Sequence, residues 1–97
     1  MDKLNVVVYT MKGCPFCDEF KEMLVNEGIE FYDRDIEEHK EEYDLFSNIT
    51  ESDLIPALLI VEGDEDKPES FLYVPDRDYF ELNEAVDIIK EHRAKVI

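Results

Sequence analysis

An apolar, β-branched run, Lys3–Thr10 (KLNVVVYT), stops just short of the chain's two cysteines, which fall in Met11-Lys12-Gly13-Cys14-Pro15-Phe16-Cys17. No other feature constrains the fold as much. The run reads as a buried strand. Pro15 is suited to the first turn of a helix, where a missing N–H costs nothing. Cys17, Phe20 and Leu24 then recur at i, i+3 and i+7 with Met23 beside them, and Asn26-Glu27-Gly28 closes the helix with Gly28 as its left-handed cap. The cysteines therefore stand where a strand turns into a helix.

The rest of the chain extends this pattern. Ile29–Ile36 (IEFYDRDI) reads as a second strand. Residues 37–47 read as a charged helix with Tyr43, Phe46 and Leu45 on its buried side. Ala57–Gly63 (ALLIVEG), entered through Ile55-Pro56, is a third strand, and Glu69–Val74 (ESFLYV) a fourth. An acidic loop with Gly63 and Pro68 joins these two as an antiparallel hairpin. Leu82, Ala85, Val86 and Ile89 mark a closing amphipathic helix. The order is β-α-β-α-β-β-α. The first two strands need a crossover, so they are expected to be parallel with a right-handed connection.

Composition narrows the class of function. A chain of 97 residues with 44% hydrophobic side chains builds one modest core. Its formal net charge of -16 argues against binding a nucleic-acid backbone or an anionic membrane. The acids concentrate at residues 30–44 (Glu30, Asp33, Asp35, Glu37, Glu38, Glu41, Glu42, Asp44) and 62–69 (Glu62, Asp64, Glu65, Asp66, Glu69). Residues 1–17 hold only Asp2 against Lys3 and Lys12, so the cysteine segment is neutral to slightly basic. The acid runs read as a solvated surface, or as one that steers toward a basic partner protein. No apolar run reaches the roughly 18 residues of a membrane helix, and no secretory signal is visible, so a cytoplasmic protein is expected.

Two cysteines are too few for a disulfide scaffold, and in a reducing compartment a close pair is catalytic or metal-binding more often than structural. The sulfur of Cys14 would lie near free backbone N–H groups at the positive end of the helix dipole, with Lys12 two residues upstream. Such surroundings favour the thiolate, with pKa values of roughly 3.5–7.5 against about 8.5 for a free thiol. Cys17, one turn further, shares a face with Cys14 and opens the apolar stripe, so it is expected to be the more buried. Cys14 would attack a substrate disulfide, and Cys17 or a second thiol would resolve the mixed disulfide. A zinc site would need four ligands; only His39 and His92 remain, without ligand spacing, and no metal is expected. A structural disulfide across so short a loop would constrain little of the unfolded chain.

The segments "VVVYTMKGCPFC", "FYDRDI" and "LIPALLIV" and the closing helix resemble the glutaredoxin family over nearly the whole chain, 1–97, as a single domain. The resemblance implies a thioredoxin-like α/β fold with a four-stranded mixed sheet flanked by helices. "CPFC" is close to the dithiol tetrapeptide of that family and differs from the single-cysteine "CGFS" type linked to iron–sulfur clusters. Thioredoxins usually carry Trp before the first cysteine and Gly-Pro between the two, whereas this chain has no Trp. Ile55-Pro56 matches the family's valine and cis-proline. A cis bond at Pro56 would turn the Ile55 backbone toward the cysteines, where it could pair with an extended peptide or with glutathione.

The chain departs from the family after its fourth strand. There a Gly-Gly pair usually precedes the Ser, Thr or Cys and Asp that hold the γ-glutamyl end of glutathione, but this chain has Val74-Pro75, with Asp76 the best candidate carboxylate. Asp76 and Asp78 could instead cap the last helix. The resemblance implies a monomeric thiol–disulfide oxidoreductase with glutathione as co-substrate, acting on disulfide-containing proteins or glutathione mixed disulfides. Cys14 and Cys17 would be catalytic, with Lys12, Pro15, Phe16, Ile55, Pro56 and Asp76 contacting glutathione or peptide. Two alternatives stand beside it. One resembles the glutaredoxin-like electron donors to ribonucleotide reductase that thioredoxin reductase recharges. The other is a non-catalytic module bridged by an iron–sulfur cluster or metal through Cys14 of two subunits.

Overall fold

The β-branched run at the start of the chain becomes the second strand in from one edge of a four-stranded sheet. A computed structural model describes residues 3–63 and 66–96; Asp2, Asp64 and Glu65 of the acid count lie outside the described residues. The order is β1 (Lys3–Thr10), α1 (Pro15–Asn26), β2 (Tyr32–Asp35), α2 (Lys40–Thr50), β3 (Ala57–Gly63), β4 (Glu69–Tyr73) and α3 (Leu82–Val96). The sheet order is β2-β1-β3-β4. β1 and β2 are parallel, while β3 is antiparallel to both β1 and β4. This is the mixed sheet of a thioredoxin-like fold.

Alternation along β1 divides the interior in two, since successive side chains point to opposite faces. Val6 and Val8 pack with Phe20 and Leu24 of α1, Leu58 and Ile60 of β3, and Ala85, Val86 and Ile89 of α3. Val7 and Tyr9 face the other way, onto Tyr43 and Phe46 of α2, with Ala57 and Val74. The second cluster is more polar. The Tyr9 hydroxyl donates to Glu42 Oε2 at 2.7 Å, and burial first, then Glu42, pushes its phenol well above the ordinary value. At the far end of α3, buried His92 joins helix to hairpin, with Nδ1 2.9 Å from Glu62 Oε2 and Nε2 2.6 Å from the Tyr73 hydroxyl.

Three elements have bounds that differ from the sequence reading, each for a local reason. The second strand begins at Tyr32 rather than Ile29. Ile29 N–H instead donates to the Leu24 carbonyl at 2.9 Å and Gly28 N–H to the Val25 carbonyl at 3.0 Å. With Gly28 at φ 68°, this is the paired hydrogen-bond closure that ends many helices, and Ile29 then packs with Leu24. The second helix starts at Lys40, not at residue 37, and runs to Thr50. Asp35 Oδ1 accepts from Glu37 N–H at 2.8 Å and its carbonyl accepts from His39 N–H, which holds this stretch as turns. Leu45 is 63% exposed, contrary to expectation, because Tyr43, Phe46 and Thr50 at i, i+3 and i+7 define the inward face and Leu45 falls off it. Finally, β4 ends at Tyr73, because Val74 N–H donates to Asp78 Oδ2 at 2.9 Å instead of to a strand.

Candidate active site

The backbone of Cys14 is extended (φ -98°, ψ 105°) and stands at the cap position before α1, with Pro15 opening the helix. Its N–H donates to the Met11 carbonyl at 3.3 Å, and its carbonyl accepts from Asp18 N–H at 3.1 Å. The Cys14 sulfur accepts from Cys17 N–H at 3.2 Å, so one of the helix's unpaired donors is aimed at it. A negative charge on that sulfur is favoured by this bond and by the helix dipole. The two sulfurs lie at disulfide distance, with Cα atoms 5.2 Å apart. Cys14 is half-buried and Cys17 fully buried, for Cys17 starts the inward stripe that continues through Phe20 and Leu24.

Phe16, between the cysteines in the chain, is 65% exposed and forms one wall of a groove of about 520 Å³. Leu54, Ile55 and Pro56 line it from the segment before β3, and Pro75, Asp76, Tyr79 and Phe80 from the turn after β4. The Ile55–Pro56 bond is cis. Ile55 precedes the β1–β3 ladder, whose register ends at the pair Tyr9 and Ala57, so its backbone is not part of the sheet. The groove is held from behind by Tyr79, 2% exposed, whose hydroxyl donates to the Pro56 carbonyl. Burial pushes the Tyr79 phenol well up, aided by Asp78, so it stays a donor.

The turn after β4 is built without glycine. Asp76 takes φ 65°, a left-handed conformation that Asp and Asn tolerate better than most residues. Its N–H donates to the Tyr79 carbonyl at 2.9 Å. Neither Asp76 nor Asp78 caps α3: Asp78 accepts from Val74 N–H, and Glu84 Oε1 reaches back to the N–H groups of Phe80 and Glu81 at 3.2 and 2.9 Å. Arg77 is turned away, donating to the Thr50 carbonyl at 2.8 Å and to Asp78.

Of the residues singled out in the sequence, Phe16, Ile55, Pro56 and Asp76 share the groove, while Pro15, the first residue of α1, and the two cysteines are not among its lining residues. Lys12 does not line the groove. It lies in a separate pocket of about 360 Å³ with Thr10, Asp18, Lys21, Asp33, Asp35 and Glu38, its ammonium 4.0 Å from Glu38. There Asp33 accepts from Thr10 at 2.6 Å and from Lys21 at 3.0 Å. Burial raises the Asp33 carboxyl, but these two bonds and the Lys21 charge outweigh it and hold it below its ordinary value. Sequence reasoning did not single out Glu19, Leu54, Tyr79, Phe80 or Glu81. Leu54 and Phe80 carried a weak signal, as large apolar residues outside every strand alternation and helical stripe. Among the described residues, no group of three or more His, Cys, Asp or Glu side chains could hold a metal ion, and no helix is long and apolar enough to cross a membrane.

A family model described as glutaredoxin matches residues 6–64, more than half of the chain and including both cysteines and Pro56. The chain belongs to the glutaredoxin family. Among solved structures, that of Trichomonas vaginalis thioredoxin is similar at a TM-score of 0.59 and 15% identity, covering 92% of this chain and 78% of that one. At that identity the likeness is one of fold. No curated protein matches the sequence. Glutaredoxin-family membership, with a cysteine pair at disulfide distance on a helix N-terminus, makes thiol–disulfide chemistry the business of this site.

Proposed function

We propose that this glutaredoxin-family protein is a dithiol oxidoreductase that reduces protein disulfides and glutathione mixed disulfides, with glutathione as co-substrate. One observation carries the reading: the half-buried Cys14 sulfur accepts a helix N-terminal N–H while the buried Cys17 sulfur stands within bonding distance. The Cys14 thiolate attacks one sulfur of the substrate disulfide, and the other substrate sulfur leaves and takes up a proton. Cys17, deprotonated, then attacks Cys14 and expels the first substrate sulfur as a second thiol. Two electrons and two protons pass to the substrate, and the Cys14–Cys17 disulfide forms. Two glutathione thiols return it to the dithiol and become glutathione disulfide.

In this reading the Ile55 backbone pairs with the substrate in the manner of an added strand, Phe16 and Pro56 pack against it, and Asp76 holds a substrate amine. Pro15 fixes the start of α1, and Lys12, on its flexible stem, meets a carboxylate from the far side. Recharging by a reductase protein is a second reading. It is favoured by a groove whose lining contains no Lys or Arg to meet the carboxylates of glutathione.

The test is reduction of a glutathione mixed disulfide coupled first to glutathione and glutathione reductase, then to thioredoxin reductase. Turnover in the first system is expected. Turnover confined to the second would assign the recharging step to a protein. A colourless monomer is expected on purification, and a coloured dimer would replace the catalytic reading with a bridged cluster.

A further inference from the structure

The groove that Phe16 walls combines apolar surface with unpaired charge. Its walls are apolar, with Phe16, Met23, Leu54, Ile55, Pro56 and Phe80 among them, and Phe80 is 72% exposed. Its charged lining consists of Glu19, Asp76 and Glu81. Among the described residues, none of these three carboxylates has an ion-pair or side-chain hydrogen-bond partner. The pocket on the other side of the cysteine segment behaves differently. Asp18 and Asp33 meet Lys21, Asp35 meets Glu37 N–H, and Glu38 meets Lys12. Arg77, the cation nearest in sequence to the groove's turn, is occupied by Asp78 and the Thr50 carbonyl.

Glu19 lies one helical turn beyond Phe16, on the face that also carries Met23, so one substrate segment lying along α1 would meet both apolar surface and charge. Asp76 and Glu81 close the opposite wall. Three carboxylates that no protein cation neutralises, over a low-dielectric surface, focus a negative potential on the groove walled by Phe16, the residue that follows Pro15 and precedes Cys17. A second copy of this chain would bring its own charge of -16 to that potential.

The geometry points to a partner protein whose reactive disulfide is flanked by apolar residues and, beyond them, by lysines or arginines, with Glu19, Asp76 and Glu81 selecting the cations. This rests on the dithiol reading above and names its substrate class. The partner's apolar residues cover Phe16, Leu54 and Phe80, and its cations replace the counter-charge that the groove lacks.

The test uses the fully reduced protein in single turnover, so that no recharging system enters. Three symmetric peptide disulfides share a Leu-Cys-Leu core and carry lysine, serine or glutamate flanks. Each rate constant is divided by that of the same peptide with dithiothreitol, which removes intrinsic differences in disulfide reactivity. At low salt the lysine peptide is expected to react about tenfold faster than the glutamate peptide. The ratio should shrink as the Debye length falls from about 30 Å at 0.01 M salt to about 3 Å at 1 M.

Two double variants separate local from overall charge. Glu19→Gln with Glu81→Gln should cut the low-salt ratio about threefold, whereas Glu37→Gln with Glu41→Gln, an equal charge change on exposed sites elsewhere, should leave it near the unmodified value. Equal effects of the two pairs, or a ratio near one with the serine peptide still reduced, would overturn the inference and leave the dithiol reading standing. Reduction of none of the peptides, or equal rates from Cys14→Ser, would overturn the dithiol reading itself. A concentration-dependent dimer abolished by Phe80→Glu would give the groove to a second copy and likewise overturn the inference.

Discussion

The cysteine segment has acids on both sides, and the two sides use them differently. On the Lys12 side each carboxylate of the pocket has a partner, and Asp33 with Thr10 and Lys21 ties β1, α1 and β2 together. On the groove side Glu19, Asp76 and Glu81 stand over exposed Phe16 and Phe80. Paired charge beside backbone holds a loop in place. Unpaired charge beside apolar surface is left over from folding and is available to a partner. In this chain one flank builds the site and the other presents it.

The sharpest way to break this comparison is at the segment both flanks share. Cys14→Ser should reduce turnover to background with every disulfide substrate, because the one remaining thiol, Cys17, is fully buried and cannot reach a substrate sulfur. Cys17→Ser should keep part of the activity toward glutathionylated substrates, which need no internal resolution. An active Cys14→Ser with an inactive Cys17→Ser would reverse the two roles.

Next comes the groove itself. Phe16→Ala with Phe80→Ala should lower kcat/KM for a protein disulfide by about thirtyfold, the loss expected when two partly covered aromatic rings no longer bury apolar area. A fall below about threefold would show that substrates bypass the groove. The groove's support should register in stability instead. Tyr79→Phe leaves the buried Pro56 carbonyl without its donor and should cost about 1–2 kcal/mol in denaturant unfolding.

The smallest effect should come from the paired flank. Lys21→Met should cost about 0.5 kcal/mol at neutral pH, the worth of a partly exposed ion pair, and should change kcat/KM by less than about twofold. Its pH dependence has a definite sign. The folded Asp33 carboxyl is held below its ordinary value of 3.8, so its contribution is present above that value and is lost as pH falls through the lower folded value. The variant and the unmodified protein should therefore differ in stability at neutral pH and converge in acid. A difference that grows as pH falls would show that Lys21 acts through some other group.

Legibility followed how local the cause was. The hairpin strand Ala57–Gly63 could be read because its apolar run, Ala57–Val61, is followed closely by Gly63, where φ is 103° and a Cβ would come within 2.7 Å of the Lys67 carbonyl oxygen. The stripe of Cys17, Phe20 and Leu24 could be read because helical spacing alone puts it inside. The late start of α2 could not, although its cause is local: one Asp35 oxygen accepts from the backbone two residues on, and residue spacing does not display which way a side chain turns. Nor could the turn at Val74–Phe80. Its shape rests on Asp78 reaching Val74, Arg77 reaching α2, and Tyr79 reaching Pro56, contacts 4, 27 and 23 residues apart in sequence.

The sequence by itself determined the element order, the inward faces of α1 and α3, and the place of the cysteines at a strand-to-helix junction. Each follows from spacing within a few residues, which a linear chain displays directly. Only the tertiary structure decided which acids are paired. Lys12 and Lys21 fall among Asp18, Asp33 and Glu38 because β1, α1 and β2 converge there. Glu19, Asp76 and Glu81 meet across the groove although they come from α1 and from the turn before α3. Whether a charge is neutralised depends on distances of a few ångströms between distant parts of the chain, and only folding sets those distances.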